Sequence, residues 1–491
     1  MHVLRHLSLG IALLAAFETQ VDIDAKWPHC ELLLGKGGPV GCPRSARRVA
    51  ESRPFSRCAM TRPYCAIDFG TSNSSIALPV HGGGSAKRVA LVEVEPGQRT
   101  MPTAVFYTLE GLRPHQEPRR LYGRAALTAY VEGHEGRLMR SMKSVLGSSL
   151  IDQGTDVGGG HSVRFLEVIA GYLRHLKHLA EAQAGETLTR VVLGRPVFFV
   201  DDDPERDAQA QSALEAAARQ VGFSEISFQF EPIAAALDFE ATVNSEQLVL
   251  VADIGGGTSD FSLVRVGPAR SGRVDRADDI LASHGVHVAG TDFDRHVELA
   301  AILPLAGYKT LGPPPAEREV PSKVYFDLAT WHLINTVYTP ARVMELRRMR
   351  SFYADAALHA RLMTVIDERL GHALMAHAES AKIAVADGQQ ALIDLSALEP
   401  GLAARLTEPQ ALGAIEADLE RIVQAGLETA RLAGVRPEQV EAVYLTGGST
   451  GLAPLAHRIA APFTHARTVR GDRLASVAQG LGIHAQRVFA G

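Results

Sequence analysis

The sequence has few cysteines, no long apolar run and no excess of positive charge. The four cysteines lie in the first seventh of the chain, so no disulfide framework holds the main body together; they are Cys30, Cys42, Cys58 and Cys65. The stretch from Leu7 to Phe17 resembles the apolar part of an export signal, but its eleven residues are too short to span a bilayer, which needs about 20. Lys and Arg number 50 against 55 Asp and Glu, a net charge of −5 that offers no general attraction for nucleic acid or anionic membrane. These absences predict no membrane span and no nucleic-acid partner.

What is present is an ordinary globular composition, 46% hydrophobic and 21% charged over 491 residues, a length that favours two or more lobes. Residues 1–59 differ, because they carry Pro, Gly and Arg without a sustained period of 2 or 3.6, which predicts a disordered leader. His29 and the early cysteines lack C-x-x-C spacing, so no metal site is expected there. We hypothesise that Met60 is the biological start and that residues 1–59 come from an upstream start choice. Peptides from this leader in mass spectrometry of the native protein would contradict that hypothesis.

Two segments share one pattern of apolar strand, aspartate, small-residue turn and second apolar strand. They are CAIDFGTSNSSIALPV at Cys65–Val80 and LVADIGGGTSDFSLVRV at Leu250–Val266. Their aspartates, Asp68 and Asp253, stand 185 residues apart. Repetition of a structural unit at the spacing of a whole domain predicts a duplicated fold whose two lobes face each other.

The turns of this repeat have the composition of a phosphate-binding site. Their glycines let backbone N–H groups approach a phosphate, and their hydroxyl groups add donors. The turn residues are Gly70, Thr71 and Ser72 in the first copy and Gly255, Gly256, Gly257, Thr258 and Ser259 in the second. The G-x-x-x-x-G-K-[ST] loop is absent and no helix follows the turn, so phosphate would lie between two hairpins. A triphosphate brings Mg²⁺, which suits one or two carboxylates, and Asp68 and Asp253 are the natural pair.

A third glycine segment, AVYLTGGSTGLAPL at Ala442–Leu455, reads as a strand, a turn and a helix. Gly447 and Gly448 would let a base or ribose lie against the main chain. The alternative is that these aspartates and glycines only form hairpin turns, since both residue types dominate turns for conformational reasons. One copy alone leaves the two interpretations even, and three glycine segments count against the plain turn.

The set and order of these motifs resemble the seventy-kilodalton heat-shock proteins of the DnaK type, within the actin-like ATPase superfamily, over residues 62–488. The further motifs that carry the resemblance are RSMKSVLG, RVVLGRPVFF, EPIAAAL, AESAKIAV and LTGGST. The resemblance implies an α/β fold of two actin-like lobes, duplicated ribonuclease-H-like units, with ATP or ADP in the central cleft. It also implies lobe I at 60–245, completed by a C-terminal helix at 472–491, and lobe II at 246–471 with an enlarged insertion at about 290–415.

The same resemblance gives roles to individual residues. Asp68 and Asp253 would hold Mg²⁺ through water. The catalytic group would be Lys143, which positions the attacking water, with Glu231, Thr258 and Asp260. The cradle for the phosphates would be Gly70, Thr71, Ser72, Gly255, Gly256, Gly257 and Thr258, and the nucleoside contacts would be Glu379, Lys382, Gly447, Gly448 and Ser449. Pro196 would be a switch that senses the γ-phosphate.

Three departures from the family limit what can be carried over. The chain stops at Gly491 without the family's peptide-binding domain, so peptide capture is not expected by analogy, and the chain looks like the short YegD-like branch. Gly451 stands where the family has an arginine against adenine, which is expected to weaken the affinity or relax the base preference. The insertion LGPPPAEREVPSKVYFDLATWHLINTVYTP, residues 311–340, is longer than the family's connection and is a candidate surface for a protein partner.

The leading interpretation is an ATP-binding, slowly hydrolysing, chaperone-like switch in the cytoplasm, where ATP is abundant. A small-molecule kinase of the same superfamily is an alternative, but Lys143 with Glu231 resembles a water-activating site more closely than a sugar site. An actin-like protein that assembles under ATP control is another alternative, since the sequence does not show which surfaces are self-complementary. Light scattering with ATP would separate assembly from a monomeric switch.

Overall fold

In the computed structural model the chain is described over residues 63–80, 88–113, 116–200, 203–315, 317–331, 333–386, 390–472 and 475–489. The predicted leader 1–59, its signal-like stretch, its three cysteines and the Met60 start lie outside the described residues. The fourth cysteine, Cys65, is buried and free. The described residues belong to one compact unit, Met60–Gly491.

The strands are numbered in chain order. They are β1 (Tyr64–Phe69), β2 (Asn73–Val80), β3 (Arg88–Leu91), β4 (Thr100–Pro102), β5 (Ala104–Thr108), β6 (Arg119–Tyr122), β7 (Gly136–Arg140), β8 (Gly154–Gly158), β9 (His161–Arg164), β10 (Arg190–Arg195), β11 (Glu225–Phe230), β12 (Gln247–Ile254), β13 (Ser259–Val266), β14 (Ile280–Val286), β15 (Ala391–Asp394), β16 (Ala403–Leu406), β17 (Ala442–Thr446) and β18 (Arg467–Arg470).

The α-helices are numbered in the same way. They are α1 (Gly123–Val131), α2 (Phe165–Ala184), α3 (Pro204–Gln220), α4 (Glu231–Glu240), α5 (Gly290–Val297), α6 (Lys323–Leu328), α7 (Ile334–Val337), α8 (Pro340–Arg348), α9 (Ala356–Asp367), α10 (Gly371–Ala386), α11 (Glu408–Leu432), α12 (Ala453–Ala460) and α13 (Ser476–Phe489).

Two larger sheets carry the fold, and they share one topology. Sheet I has the order β11-β10-β1-β2-β3, with β4 on β2, and sheet II has the order β18-β17-β12-β13-β14. In each sheet an antiparallel meander of three strands is extended, beside its first strand, by two parallel strands. The prediction of a two-lobed α/β fold with a repeated unit is therefore confirmed.

Apart from Asp68 in β1 and from Gln247 and Asp253 in β12, the first strand of each meander is apolar, because helices cover both faces of its sheet. In β1, Ile67 and Phe69 pack in a core with Tyr172 and Leu173 of α2. The intervening residues, such as Ala66, face α4 and α13 instead. In sheet II the two faces of β12 divide in the same manner between α11 with α12 and the shared core with α4 and α13.

Helices α4 and α13 join the two lobes. Helix α4 follows sheet I yet also packs on β12 and β13, and α13 follows sheet II yet packs on β1, β2, β3 and β10. Their crossing is close, because a Cβ atom at Gly480 would lie 1.9 Å from the carbonyl oxygen of Ala234. Glycine at this position therefore allows the helix contact that holds the two sheets on one core.

Each meander is followed by a different insertion. In lobe I it is the sheet β6-β5-β7 with α1 and the hairpin β8-β9. In lobe II it begins after α5 with a π-helical turn, Glu298–Ile302, and consists of helices α6 to α10 and the hairpin β15-β16. The lobe II insertion has its own hydrophobic core, which includes Leu303, Tyr325 and Leu362.

Candidate functional site

A cleft of about 880 Å³ is lined by the turns at the ends of β1 and β12 together with residues of both insertions. The sequence also assigned Ser259 to the phosphate-binding turns, but that residue is buried and its hydroxyl donates to the carbonyl of Val288 at 2.6 Å. The structure brings the other residues that the sequence assigns to the site to the wall of this cleft. They are Asp68, Gly70, Thr71, Ser72, Lys143, Pro196, Glu231, Asp253, Gly255, Gly256, Gly257, Thr258, Asp260, Glu379, Lys382, Gly447, Gly448 and Ser449. Residues from distant parts of the sequence therefore share one solvent-accessible site, as a ligand pocket requires.

The turn that follows Asp68 and the turn that follows Asp253 approach each other across the cleft. A Cβ atom at Gly256 would lie 2.9 Å from the hydroxyl oxygen of Ser72. The first turn is tight, because a Cβ atom at Gly70 would lie 2.2 Å from the carbonyl oxygen of Asn73. The hydroxyl of Thr103 also donates to the carbonyl of Gly70 at 2.8 Å. Both turns thus present small residues and backbone groups to the space between them.

The third glycine segment joins the second turn. Gly447 has φ +85°, and a Cβ atom there would lie 2.4 Å from the carbonyl oxygen of Ile254, so this position requires glycine. The hydroxyl of Ser449 donates to the carbonyl of Gly255 at 2.7 Å. These contacts fix the turn after β17 against the turn after β12.

Lys143 forms an ion pair with Glu231 at the cleft wall. Lys143 lies in a 3-10 turn, Met142–Val145, and Glu231 is the first residue of α4. Burial acts to lower the pKa of Lys143, but the charges of Glu231 and Asp68 outweigh burial and raise it. The amine is therefore a fixed positive charge beside the acidic groups of the cleft.

The two aspartates of the repeat are held in an environment that disfavours their charge. Burial, and then the charge of Glu231, raise the pKa of Asp68 to about 8, against the opposing effect of Lys143. Burial, and then the charge of Asp260, raise the pKa of Asp253 to about 7. The carboxyl of Asp260 accepts a hydrogen bond from the Thr258 hydroxyl at 2.8 Å, and burial raises its pKa as well.

This donor set fits Mg²⁺. Asp68 and Asp253 offer carboxylate oxygens, the ligand type that Mg²⁺ prefers, and their raised pKa values reflect burial and then the negative charge of neighbouring carboxylates. A divalent cation near both carboxylates would stabilise their ionised forms.

The lobe II insertion supplies a second lysine to the cleft. Lys382, on α10, lies 2.6 Å from a carboxylate oxygen of Asp294. Burial raises the pKa of Asp294 to about 6, although Lys382 opposes this. Glu379 is one turn before Lys382 on α10 and lines the same wall.

Pro196 lies in a loop organised by the preceding residue. Arg195 ends β10, and its guanidinium donates to the carbonyls of Pro196 at 3.0 Å and Val197 at 3.1 Å. It also pairs with Asp207 of α3 at 2.8 Å. The loop that carries Pro196 is thereby tied to the helix behind it.

Sequence reasoning missed several residues of the site. Thr291 donates its backbone N–H and its hydroxyl to the carbonyl of Gly256, at 2.8 and 2.7 Å, and Asp294 pairs with Lys382. The available signal was the segment TDFD, a threonine and two acids at the start of a helix. Ile383 also lines the cleft, and 54% of its surface is exposed. Its place on the cleft was missed because no sequence pattern distinguishes it from a core residue.

The arrangement can hold a polyanion between two small-residue turns, neutralise it and place a lysine-glutamate pair beside it. No helix of the described ranges is long and apolar enough to cross a membrane.

Residues 64–300 match the family model described as Hsp70 protein. This region contains sheet I, the insertion of lobe I and the meander of sheet II. Over residues 64–300 the chain thus belongs to the Hsp70 family, the ATP-binding, chaperone-type ATPases with the actin-like fold.

Proposed function

We propose that the cleft binds Mg²⁺ with ATP between the two lobes and hydrolyses ATP slowly, so that the protein is a nucleotide-controlled, chaperone-like switch. One observation carries this proposal: the Lys143–Glu231 pair faces the same cleft as the turns that follow Asp68 and Asp253. A lysine fixed by a carboxylate beside phosphate-sized space can orient a water molecule.

The roles of the residues are those that the family resemblance implies, and their places on the cleft wall support them. The turn residues from Gly70 to Ser72 and from Gly255 to Thr258 would donate hydrogen bonds to phosphate oxygens. Asp68 and Asp253 would hold Mg²⁺ through water, and the metal would supply positive charge to the phosphates. Glu379 and Lys382 would contact the ribose, Gly447, Gly448 and Ser449 would lie beside the nucleoside, and Pro196 would respond to the γ-phosphate.

Asp260 and Thr258 complete the polar wall next to Lys143. Their hydrogen bond fixes the Asp260 carboxyl, which together with Glu231 would accept protons from a bound water. The reaction is then attack of an oriented water on the terminal phosphate, with ADP and phosphate as products.

The test is single-turnover ATP hydrolysis by the full chain without any other substrate. Lys143→Ala should slow the chemical step by roughly 10²–10⁴-fold, as expected for loss of a positioned catalytic group. Lys323→Ala is the control, because that lysine is exposed in the lobe II insertion and forms an ion pair with its helical neighbour Asp327. ATP that binds but turns over only with an added hydroxyl acceptor would contradict the switch and favour the kinase.

A further inference from the structure

The insertion of lobe I contacts the insertion of lobe II through a cluster of aromatic and cationic side chains. Tyr130 of α1 and Arg140 at the end of β7 come from lobe I. Trp331, between α6 and α7, and His372, near the start of α10, come from lobe II. We call these four residues the clasp.

The clasp has specific ring geometry. The rings of Tyr130 and Trp331 stack with centroids 4.8 Å apart and an interplanar angle of 26°. The guanidinium of Arg140 lies 4.4 Å from the Trp331 ring centroid. His372 meets Tyr130 and Trp331 edge-on, at 5.2 and 5.1 Å. Stacking and a cation over an indole ring are favourable, and more so when water is excluded.

Neighbouring groups hold His372 in place. Its Nε2 lies 3.3 Å from Oδ1 of Asn335, and the N–H of Gly371 donates to the hydroxyl of Tyr338 at 2.9 Å. Burial, and then the charge of Arg140, lower the pKa of His372 to about 4. The imidazole is therefore neutral at pH 7 and does not repel Arg140.

A short, bonded turn connects the clasp to the cleft. Arg140 is followed by Ser141, which has φ +55°, a left-handed conformation that non-glycine residues rarely adopt. The carbonyl of Ser141 accepts hydrogen bonds from the N–H of Ser144 at 3.1 Å and from its hydroxyl at 2.7 Å. Lys143 lies within this turn and faces the cleft. Arg140 and Lys143 are three residues apart, so this turn connects the clasp directly to the lysine.

We infer that Trp331 is a positioning residue for Lys143: the clasp fixes Arg140, and Arg140 fixes the turn that presents Lys143 to Glu231. The inference rests on the proposed hydrolysis. It connects the lobe II insertion, where the sequence predicts a partner surface, with the chemical step in lobe I. Separation of the two insertions would break the ring contacts and release the lysine turn.

The experiment compares Trp331→Ala, Trp331→Phe and Phe352→Ala in single-turnover ATP hydrolysis by the full chain. Trp331→Ala should slow hydrolysis at saturating ATP roughly tenfold or more, because small misplacements of a reacting group are costly. Trp331→Phe keeps a ring and should restore the rate to within about threefold of wild type. Phe352 is a 49% exposed aromatic residue of the same insertion, so its replacement should leave the rate unchanged.

Two results would overturn the inference: a wild-type rate in folded Trp331→Ala, or an equal loss in Phe352→Ala. A wild-type chain that neither binds nor hydrolyses ATP refutes the proposed function instead. The clasp is then judged by Trp331 fluorescence in a Trp27→Phe background, which removes the other tryptophan. Tyr130→Ala should increase acrylamide quenching of Trp331, and unchanged quenching would refute the clasp itself.

Discussion

Sheets I and II share their strand order and carry their aspartates at equivalent places. Asp68 is the last but one residue of β1, and Asp253 is the last but one residue of β12. The turns that follow differ in how closely they pack. A Cβ atom at Gly70 would lie 2.2 Å from a backbone oxygen, whereas a Cβ atom at Gly257 has no atom within 4 Å. The lobe I turn thus needs glycine for its own folding, and the lobe II turn leaves open space for a ligand.

The insertions differ even more between the lobes, and each brings one lysine to the cleft. Lys143 follows the small sheet of lobe I and pairs with Glu231, and Lys382 lies on a helix of lobe II and pairs with Asp294. Duplication therefore explains the paired aspartates, and the unequal insertions place different side chains on the two sides of the cleft, in accord with the chemical role proposed for one side and the nucleoside contacts proposed for the other.

The largest expected effect separates the two glycine turns. Gly70→Ala places a methyl group against the Asn73 carbonyl and should lower the free energy of unfolding by about 3 kcal/mol, as overpacking does. Gly257→Ala should leave the unfolding temperature without nucleotide nearly unchanged, yet weaken ATP binding about tenfold by occupying the ligand's space. Thermal unfolding with and without ATP measures both. Equal destabilisation by the two variants would show that both turns pack alike.

The second expected effect distinguishes the two aspartates by pH. Their folded-state pKa values, about 8 and about 7, lie above the ordinary value of 3.8. Between pH 4 and 8 the folded state therefore binds more protons than the unfolded state, so stability without nucleotide falls as pH rises. Asp68→Asn should stabilise the protein at pH 8 by about 2 kcal/mol and much less at pH 4, and Asp253→Asn should do so by less.

Unfolding by urea across this pH range measures the effect of each aspartate. The exposed Asp152 provides the control, since Asp152→Asn should change nothing. A flat pH dependence in the wild-type protein would contradict the repulsion inferred between the cleft carboxylates.

The smallest expected effect concerns the lobe II side of the cleft. Gly451→Arg supplies a cation for stacking on a purine ring and should tighten ATP binding roughly 2- to 30-fold, which corresponds to about 0.5–2 kcal/mol. Titration with ATP and GTP measures the affinity and the base preference. Gly413→Arg adds the same charge at an open, exposed position of α11 and should leave both unchanged. Equal tightening in the two variants would indicate a general charge effect.

The sequence was sufficient to predict the repeat, the turns and the presence of two lobes. Asp68 and Asp253 stand in matching apolar strands, and such strands with small-residue turns follow from local pattern alone. The crossing of α4 and α13 was not predictable, because it depends on the close approach of Gly480 to Ala234, which are far apart in the sequence. The clasp was not predictable either, since nothing in the sequence near Trp331 indicates that Tyr130 and Arg140 contact it.

The amino-acid sequence by itself determined the strand-turn-strand pattern in which glycine and threonine are proposed to bind phosphate and aspartate to hold Mg²⁺, because such a pattern follows from local composition. Tertiary structure alone decided which of them meet. It brought Ser72 to Gly256 and Lys143 to Glu231, and it gave the carboxyl groups of Asp68 and Asp253 their raised pKa values. Those values arise from burial and from charges distant in sequence, and such through-space effects exist only once the lobes are packed together.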